Sequence, residues 1–240
     1  MNKMSDSVIS GILSRKKALL LDMNSTFMFG EDRFGSDEDY SVYYKSIGGK
    51  LSDETLNTIM QDILQYLGKL YPKEEYRNHF PSVAQALDNT LSFKLSTEEV
   101  DKIVQTFSYH EHGYIPEEYI KALFQLRERY ILSVVIDIWA PKTRWLETFK
   151  KHGIDTLFSA QSFSSDHGIV KPSPRPFEMV VEQLDIDKED CLVVGDSIRR
   201  DLGGAIAANI DCVLVGGSMD DRALAAYEDL LVFCDYANNS

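Results

Sequence analysis

The sequence predicts an α/β protein with a doubly wound parallel sheet that is interrupted by a helical insertion. Short apolar runs recur along the chain, and after about residue 130 they alternate with segments of helical periodicity. Between the first and second runs, residues 36 to 115 show helical periodicity and no convincing strand. These observations favour a sheet domain with helices on both faces and a separate helical segment.

The predicted strands are short and apolar on both faces, which is typical of a parallel sheet covered by helices on each side. Four runs are strong and a fifth is weaker: residues 18–21, 131–136, 191–194, 212–215 and, the weakest, 230–233.

Two helical segments separate the later strands. Residues 173–184 begin with Ser and Pro, as helices often do, and carry an apolar stripe at helical spacing. Residues 199–209 carry a similar stripe. The order of strand and helix predicts a doubly wound sheet.

The inserted segment is predicted to be helical throughout. Ser52 precedes a long apolar stripe that ends at Leu70, and Ser96 with Glu99 forms a capping-box pattern before another stripe. We therefore predict a core domain and an inserted helical domain: residues 1–30 with 126–240, and residues 31–125.

Composition excludes several classes of protein. The net charge of −13, from 25 basic and 38 acidic residues, argues against a phosphate-backbone binder. No apolar run is long enough to span a bilayer, and residues 1–17 lack the apolar core of a secretory signal. We expect a cytoplasmic protein without nucleic-acid or membrane partners. The three cysteines are expected to be buried thiols in strands, without a disulfide or zinc site: Cys191, Cys212 and Cys234.

Charged residues follow the predicted strands, at the edge where open α/β sheets bind ligands. Asp22 directly follows the first run, Asp196 follows the third, and Asp201 lies one helical turn further on. Two such carboxylates facing one crevice suit Mg²⁺, which prefers oxygen ligands and is often shared with a substrate phosphate. Lys171, in a loop before a helix, offers a point charge for a phosphoryl oxygen.

Four segments, LLLDMNST, VVIDIW, GIVKPSP and VVGDSIRRD, resemble in this order the signature motifs of the haloacid dehalogenase (HAD) superfamily. The resemblance covers residues 17–30 and about 126–217, and its strongest parts are SDHGIVKPSPRPF and CLVVGDSIRRDLGGA. It implies a Rossmann-like core, and it places the helical insertion where members carry a cap of the first type.

The resemblance also implies roles for individual residues. Asp22 would attack phosphorus and form an aspartyl-phosphate that water then hydrolyses. Mg²⁺ would be held by Asp22, the backbone carbonyl of Asn24 and Asp196, with Asp201 as a supporting acid. Lys171 would pair with Asp22 and neutralise the transferring oxygens.

The chain departs from the family pattern at Asn24. Phosphatases of the superfamily carry a second aspartate at this position, which acts as general acid and base. A carboxamide keeps the shape and the hydrogen bonds of that group but cannot exchange a proton near pH 7. We therefore expect slow hydrolysis of phosphomonoesters, or substrates with good leaving groups.

A second departure lies in VVIDIW. Ile136 stands where members usually place a Ser or Thr that contacts the phosphoryl oxygens, and Asp137 follows it. By this resemblance, we expect Ile136 and Asp137 to lie where substrate and phosphate bind. Our hypothesis is that Asp137 contacts a substrate hydroxyl or supplies part of the missing acid/base function; the alternative is a helix cap for the segment that begins at Pro141.

Two other features carry weaker predictions. The spacing of His110, Glu111 and His112 does not suit a zinc site, and a loop at the end of the insertion that faces the active site is the favoured interpretation. Trp139 either packs, which we favour, or lines the pocket.

The leading function is a Mg²⁺-dependent phosphatase-like hydrolase that acts on a small phosphorylated metabolite, because a helical cap would exclude large substrates. The alternative is a catalytically silenced member of the superfamily that binds or regulates. Dehalogenases and phosphonate hydrolases, which lack the second aspartate, have no strong positive sign in this sequence.

Overall fold

The computed structural model describes residues 6–239. Within them a six-stranded sheet has the order β3-β2-β1-β4-β5-β6, and every neighbouring pair is parallel. The strands are β1 (Ala18–Leu21), β2 (Ile131–Ile136), β3 (Phe158–Phe163), β4 (Cys191–Gly195), β5 (Asp211–Leu214) and β6 (Ala225–Ala226). The predicted doubly wound sheet is confirmed.

Helices lie before, between and after the strands. They are α1 (Asp6–Leu13), α2 (Ser41–Ser46), α3 (Asp53–Leu70), α4 (Val83–Thr90), α5 (Thr97–Glu111), α6 (Glu117–Arg127), α7 (Thr143–Lys151), α8 (Ser164–His167), α9 (Arg175–Leu184), α10 (Gly203–Ala208) and α11 (Leu230–Asn239). A π-helical turn, Ile198–Leu202, precedes α10.

The register of the central strands determines where the site lies. Leu21, the last residue of β1, is opposite Val134 of β2 and Val194 of β4. The residues that follow these three strands therefore meet at one edge of the sheet, which is where ligands bind in open parallel sheets.

Both faces of the sheet are buried, which explains why its strands have continuous apolar runs. Alternate residues of β1 belong to two separate cores, with Leu19 and Leu21 in one and Leu20 in the other. The larger core also includes apolar residues of α3, α4 and α5, so it continues into the helical segment.

Helices α2 to α5, called the helical insertion below, contact one another. Helix α3 begins at the predicted cap, since Ser52 accepts a hydrogen bond from the N–H of Thr55. At α5 the Ser96 side chain accepts from the N–H of Glu99, but the Glu99 carboxylate instead accepts a hydrogen bond from the Tyr44 hydroxyl.

Helix α6 belongs with the sheet by its contacts, because it packs on α11 and β2. The predicted boundary at residue 125 stays a prediction, although these contacts favour an insertion that ends near residue 111.

Several predicted elements were wrong. Residues 230–233 were expected as a weak strand but begin α11, which also places Cys234 in a helix rather than a strand. Strand β3 was missed because its sequence, FSAQSF, has only moderate apolar content. The predicted helix 199–209 is divided into a π-helical turn and α10.

All three cysteines are buried free thiols. Among the described residues no helix is long and apolar enough to cross a membrane. The expectation about a secretory signal rests partly on residues 1–5, which lie outside the described part of the chain.

Candidate active site

Three carboxylates converge at the edge where β1 and β4 end. Asp22 follows β1, Asp196 follows β4, and Asp201 lies in the π-helical turn. One oxygen atom from each lies within 4.8 Å of those of the other two. Asp22 and Asp201 are buried and Asp196 is half-buried. The structure thus brings together residues that are up to 179 positions apart in the chain (Asp22 to Asp201, 201 − 22).

Lys171 binds two of these carboxylates. Its Nζ atom lies 2.5 Å from Oδ1 of Asp22 and 2.7 Å from Oδ1 of Asp201, and it also donates to the carbonyl of Val135 at 3.1 Å. The Lys171 side chain is only 2% exposed. A buried ammonium with three acceptors is fixed in position, because each of its three donors has a partner.

The electrostatics of this cluster leave an excess of negative charge. Burial raises the pKa of Asp22 to about 7, with Asp201 and Asp196 acting in the same direction and Lys171 against it. Burial lowers the pKa of Lys171, but Asp201 and Asp22 more than offset this, so its pKa lies above the ordinary value. Lys171 therefore stays charged, and the three carboxylates would be stabilised by a further cation.

Gly195, the last residue of β4, allows Asp201 to approach the strand. A Cβ atom at this position would collide with the Asp201 carboxyl group. Asp201 is also held by the backbone N–H of Ser197, which donates to its Oδ2 at 3.0 Å. Close approach of a side chain to backbone is a recognised reason for glycine at a strand end.

The loop after Asp22 is tight. The Met23 carbonyl accepts hydrogen bonds from the N–H groups of Phe27 at 2.9 Å and Met28 at 3.0 Å, and Ser25 has a positive φ of 57°. This loop directs Asn24 towards the site, where its side-chain oxygen is buried without a hydrogen-bond partner among the described residues.

The donor set fits a hard divalent cation. Besides Asn24, Asp196 has a buried oxygen, Oδ1, without a hydrogen bond, and a guanidinium nitrogen of Arg200 lies 3.9 Å from it. These oxygens lack a hydrogen-bond donor and are available to a ligand that binds oxygen. Oxygen donors of this kind suit Mg²⁺ or Ca²⁺.

Asp137 faces the site, whereas Ile136 does not. The Asp137 carboxylate accepts a hydrogen bond from the Tyr71 hydroxyl at 2.7 Å and another from the backbone N–H of Lys171 at 3.0 Å. Ile136 is 1% exposed in the core, so its predicted contact with phosphate is not supported by its position. The alternative of a helix cap was wrong, because α7 begins at Thr143 without a side-chain cap.

Glu111 connects the helical insertion to the loop after β2. Its two carboxylate oxygens accept the backbone N–H groups of Trp139 at 2.6 Å and Ala140 at 2.9 Å. Burial raises the pKa of Glu111 to about 8, although these two bonds act in the opposite direction. The predicted loop at residues 110–112 was wrong for His110 and Glu111, which end α5, but Glu111 does lie at the site.

A cavity of about 330 Å³ opens between the helical insertion and the sheet edge. Trp139 lines it and also packs against the rings of Tyr71 and Phe80, with centroid distances of 5.5 and 5.7 Å, so both interpretations of Trp139 hold. The full lining is Asn24, Asp32, Phe34, Leu64, Tyr71, Glu111, Asp137, Trp139 and Arg200.

Four residues that line this cavity were not predicted from the sequence: Asp32, Phe34, Tyr71 and Arg200. Arg200 directly precedes Asp201 in the fourth motif, and Tyr71 directly follows the last residue of α3. The Tyr71 side chain interacts electrostatically with the Arg200 guanidinium. The position of Arg200 next to Asp201 could have indicated that it lies near the site. The side chain of Tyr71 reaches the cavity only because of how the insertion packs, which its local sequence does not indicate.

A family profile described as haloacid dehalogenase-like hydrolase matches residues 16–209. The chain belongs to this family. The resemblance inferred from four short motifs is thereby confirmed.

Individual relatives of this HAD-family chain are distant. The pyrophosphatase PpaX of Bacillus mycoides (strain KBAB4) is 26% identical over 179 residues, which cover 72% of this chain and 81% of PpaX. A 2-haloacid dehalogenase from Pseudomonas syringae pv. Tomato DC3000 has a TM-score of 0.62 at 18% identity, covering 93% of this chain and 99% of that one. A HAD phosphatase from Thermococcus onnurineus has a TM-score of 0.57 at 21% identity, covering 89% and 94%. The two structures share the fold.

Proposed function

We propose that this protein is a Mg²⁺-dependent phosphatase that acts on a small phosphorylated metabolite through an aspartyl-phosphate on Asp22. The observation that carries the proposal is the cluster at the sheet edge, where Asp22 lies close to Asp196 and Asp201 and binds the ammonium of Lys171. Asn24, two residues after Asp22, lines the cavity. The name of the relative PpaX agrees with chemistry on phosphorus.

In this proposal, Asp22, Asp196 and the backbone carbonyl of Asn24 hold Mg²⁺, with Asp201 in support, and the ion supplies the charge that lets one anion approach another. Asp22 attacks phosphorus, and the bond to the leaving group breaks. Lys171 is already 2.5 Å from Asp22, so its charge is in place for the oxygens being transferred.

The helical insertion serves as the cap, since Leu64, Tyr71 and Glu111 come from its helices or their ends and line the cavity. The loop between α3 and α4 is hydrogen-bonded to the core. The N–H of Phe80 donates to the carbonyl of Gly168 at 2.6 Å, and the N–H of Val170 donates to the carbonyl of Arg77 at 2.8 Å. A cavity of about 330 Å³ admits a small substrate. A cytoplasmic location stays an expectation.

The test is phosphate release from a panel of small phosphate esters with Mg²⁺. We expect turnover by the natural protein and none by Asp22→Ala. Asp155→Ala is the matched control, because Asp155 is an exposed aspartate outside the cavity. Removal of Mg²⁺ with a chelator should stop turnover, and its return should restore it.

Activity that survives Asp22→Ala would refute the proposed nucleophile. If neither the natural protein nor Asn24→Asp released phosphate from any ester or anhydride, the silenced binding protein would be the better description. The presence of Asp22, Lys171, Asp196 and Asp201 together supports the enzyme.

A further inference from the structure

Arg200 lines the cavity beside the candidate active site. It lines the cavity together with Asn24, which occupies the position that contacts the leaving group in phosphatases of the family. The Arg200 side chain is 35% exposed, so a small ligand can reach it. Arg199, the neighbouring residue, instead donates to the carbonyl of Pro72 at 2.9 Å and does not line the cavity.

Arg200 is the one basic residue among the described residues that line this cavity. Lys171 lies deeper, and its ammonium group is bound by Asp22, Asp201 and the carbonyl of Val135. The nearest carboxylate contact of the Arg200 guanidinium is with Asp196, at 3.9 Å. Arg200 also interacts electrostatically with Tyr71 and with four other carboxyl groups: Asp22, Asp32, Asp137 and Asp201. A guanidinium has five N–H donors, so donors remain for an anionic ligand.

Tyr71 and Asp137 line the cavity together with Arg200. The Tyr71 hydroxyl donates to Asp137 at 2.7 Å, and Asp137 is itself held by the backbone N–H of Lys171. The Arg200 guanidinium interacts electrostatically with Tyr71.

Asn24 adds an independent constraint. An alcohol leaving from a phosphate ester needs a proton, and a carboxamide cannot supply it near pH 7. A phosphate or a carboxylate leaves as a stable anion and needs none. A site with an amide in place of the acid, and a guanidinium beside it, is therefore matched to an anionic leaving group.

We infer that the substrate is a phosphoric anhydride, either a diphosphate or an acyl phosphate, and that Arg200 binds its departing oxyanion. This inference rests on the proposed function and narrows its substrate class.

The reaction balances without a general acid. An oxygen of Asp22 forms a bond to phosphorus while the bridging P–O bond breaks, and the electron pair leaves with the bridging oxygen as phosphate or carboxylate bound to Arg200. Water then forms a bond to phosphorus and the bond to Asp22 breaks. The electron pair returns to Asp22, and both protons of the water end on the released orthophosphate.

The experiment compares kcat/KM for acetyl phosphate and pyrophosphate with kcat/KM for phenyl phosphate, all with Mg²⁺. The ratio of kcat/KM for each anhydride to kcat/KM for phenyl phosphate is measured in the natural protein, in Arg200→Gln and in Arg199→Gln. We expect at least one anhydride to be preferred by about 10²-fold or more, as a missing acid predicts. Arg200→Gln should lower that preference about 10- to 100-fold, the loss of a charged hydrogen bond, while Arg199→Gln leaves it unchanged. A higher kcat/KM for acetyl phosphate would identify the substrate as an acyl phosphate, and a higher kcat/KM for pyrophosphate would identify it as a diphosphate.

A binding measurement removes dependence on turnover. Titration calorimetry with Mg²⁺ should show that methylenediphosphonate binds more tightly than methylphosphonate if the anhydride is a diphosphate. If it is an acyl phosphate, 2-oxopropylphosphonate should bind more tightly than methylphosphonate. Arg200→Gln should lose this difference. If Arg200→Gln does not fold, Arg200→Lys tests the same point, since it keeps the charge but lacks the planar fork.

The outcomes separate the two proposals. Asp22-dependent hydrolysis with no anhydride preference, or an equal loss on all substrates in Arg200→Gln, overturns the inference and leaves the phosphatase standing. No phosphate release from any substrate overturns both, and chloride release from 2-chloropropionate would then indicate a dehalogenase.

Discussion

The ammonium of Lys171 is shared between Asp22 and Asp201, and all three side chains are at most 7% exposed. In a buried cluster of this kind the favourable interactions and the cost of desolvation are both large, so the removal of one member is more informative than any sum of contacts.

Lys171→Met should therefore destabilise the fold strongly, by about 3–5 kcal/mol, because it leaves two buried carboxylates without their cation. Urea denaturation at neutral pH without Mg²⁺ measures the change. Lys142→Met is the control, since the ion pair of Lys142 with Asp166 is largely exposed and should contribute about 0–1 kcal/mol. Similar losses in the two variants would contradict the buried triad.

Asn24→Asp should raise kcat/KM for phenyl phosphate by about 10²–10⁴-fold, the typical effect of a positioned acid and base. Its effect on an anhydride substrate should be much smaller, because that leaving group needs no proton. A steady-state assay of both substrates at pH 7 decides this. An unchanged rate on the ester would mean that residue 24 does not face the leaving group.

At the scale of single elements, strand β4 shows how backbone geometry supports the site. Its last residue, Gly195, leaves the space that the Asp201 carboxyl group fills. The site thus depends on the absence of a side chain as much as on the acidic residues themselves.

Gly195→Ala should destabilise the protein by about 1–3 kcal/mol, because the added Cβ must displace Asp201 or the strand. It should also weaken Mg²⁺ binding measured by calorimetry. Gly68→Ala is the matched control: Gly68 lies inside α3 with open space around it, and the same change there should stabilise by about 0.5–1 kcal/mol. Equal effects at the two positions would show that Asp201 is not confined by Gly195.

The strands differ in how strongly their sequences predict them. Strands β1, β2, β4 and β5 were predictable because they are buried on both faces and carry continuous apolar runs. Strand β3 was not, since it has two half-buried or exposed positions and a polar sequence. Residues 230–233 are apolar enough for a strand, but their packing against the larger core as a helix was decided by tertiary contacts.

The same distinction applies to the site. Asp22, Lys171, Asp196 and Asp201 come from motifs next to strands, so their convergence followed from the topology of the sheet. Tyr71 enters from the insertion, and no local pattern indicates the direction of its side chain. Local sequence patterns therefore do not predict which side chains of the insertion reach the site, because this depends on how the insertion packs against the sheet.

At the scale of the whole molecule, acidity and burial combine to make stability depend on pH. His112 follows α5, and its Nε2 atom is hydrogen-bonded to the Thr148 hydroxyl of α7 at 2.9 Å. Burial, with Arg144 and Arg33, lowers the pKa of His112 to about 4.

Since this pKa lies below the ordinary value of 6.5, protonation favours the unfolded chain. The contribution of neutral His112 is present above pH 6.5 and is lost as the pH falls towards 4. His112→Gln should therefore lose less stability than the natural protein between pH 7 and pH 4.5, by about 1–2 kcal/mol after allowance for partial exposure. Urea denaturation at both pH values tests this, and parallel pH profiles would refute it.

Glu111 has a mechanical consequence for the molecule. Its carboxylate binds the N–H groups of Trp139 and Ala140, two and three residues after Asp137. Opening of the helical insertion must therefore break these two bonds or turn about Glu111. A motion of α3 must also break the hydrogen bond from Tyr71 to Asp137, and the backbone bonds of Phe80 and Arg77 to the core resist the same motion.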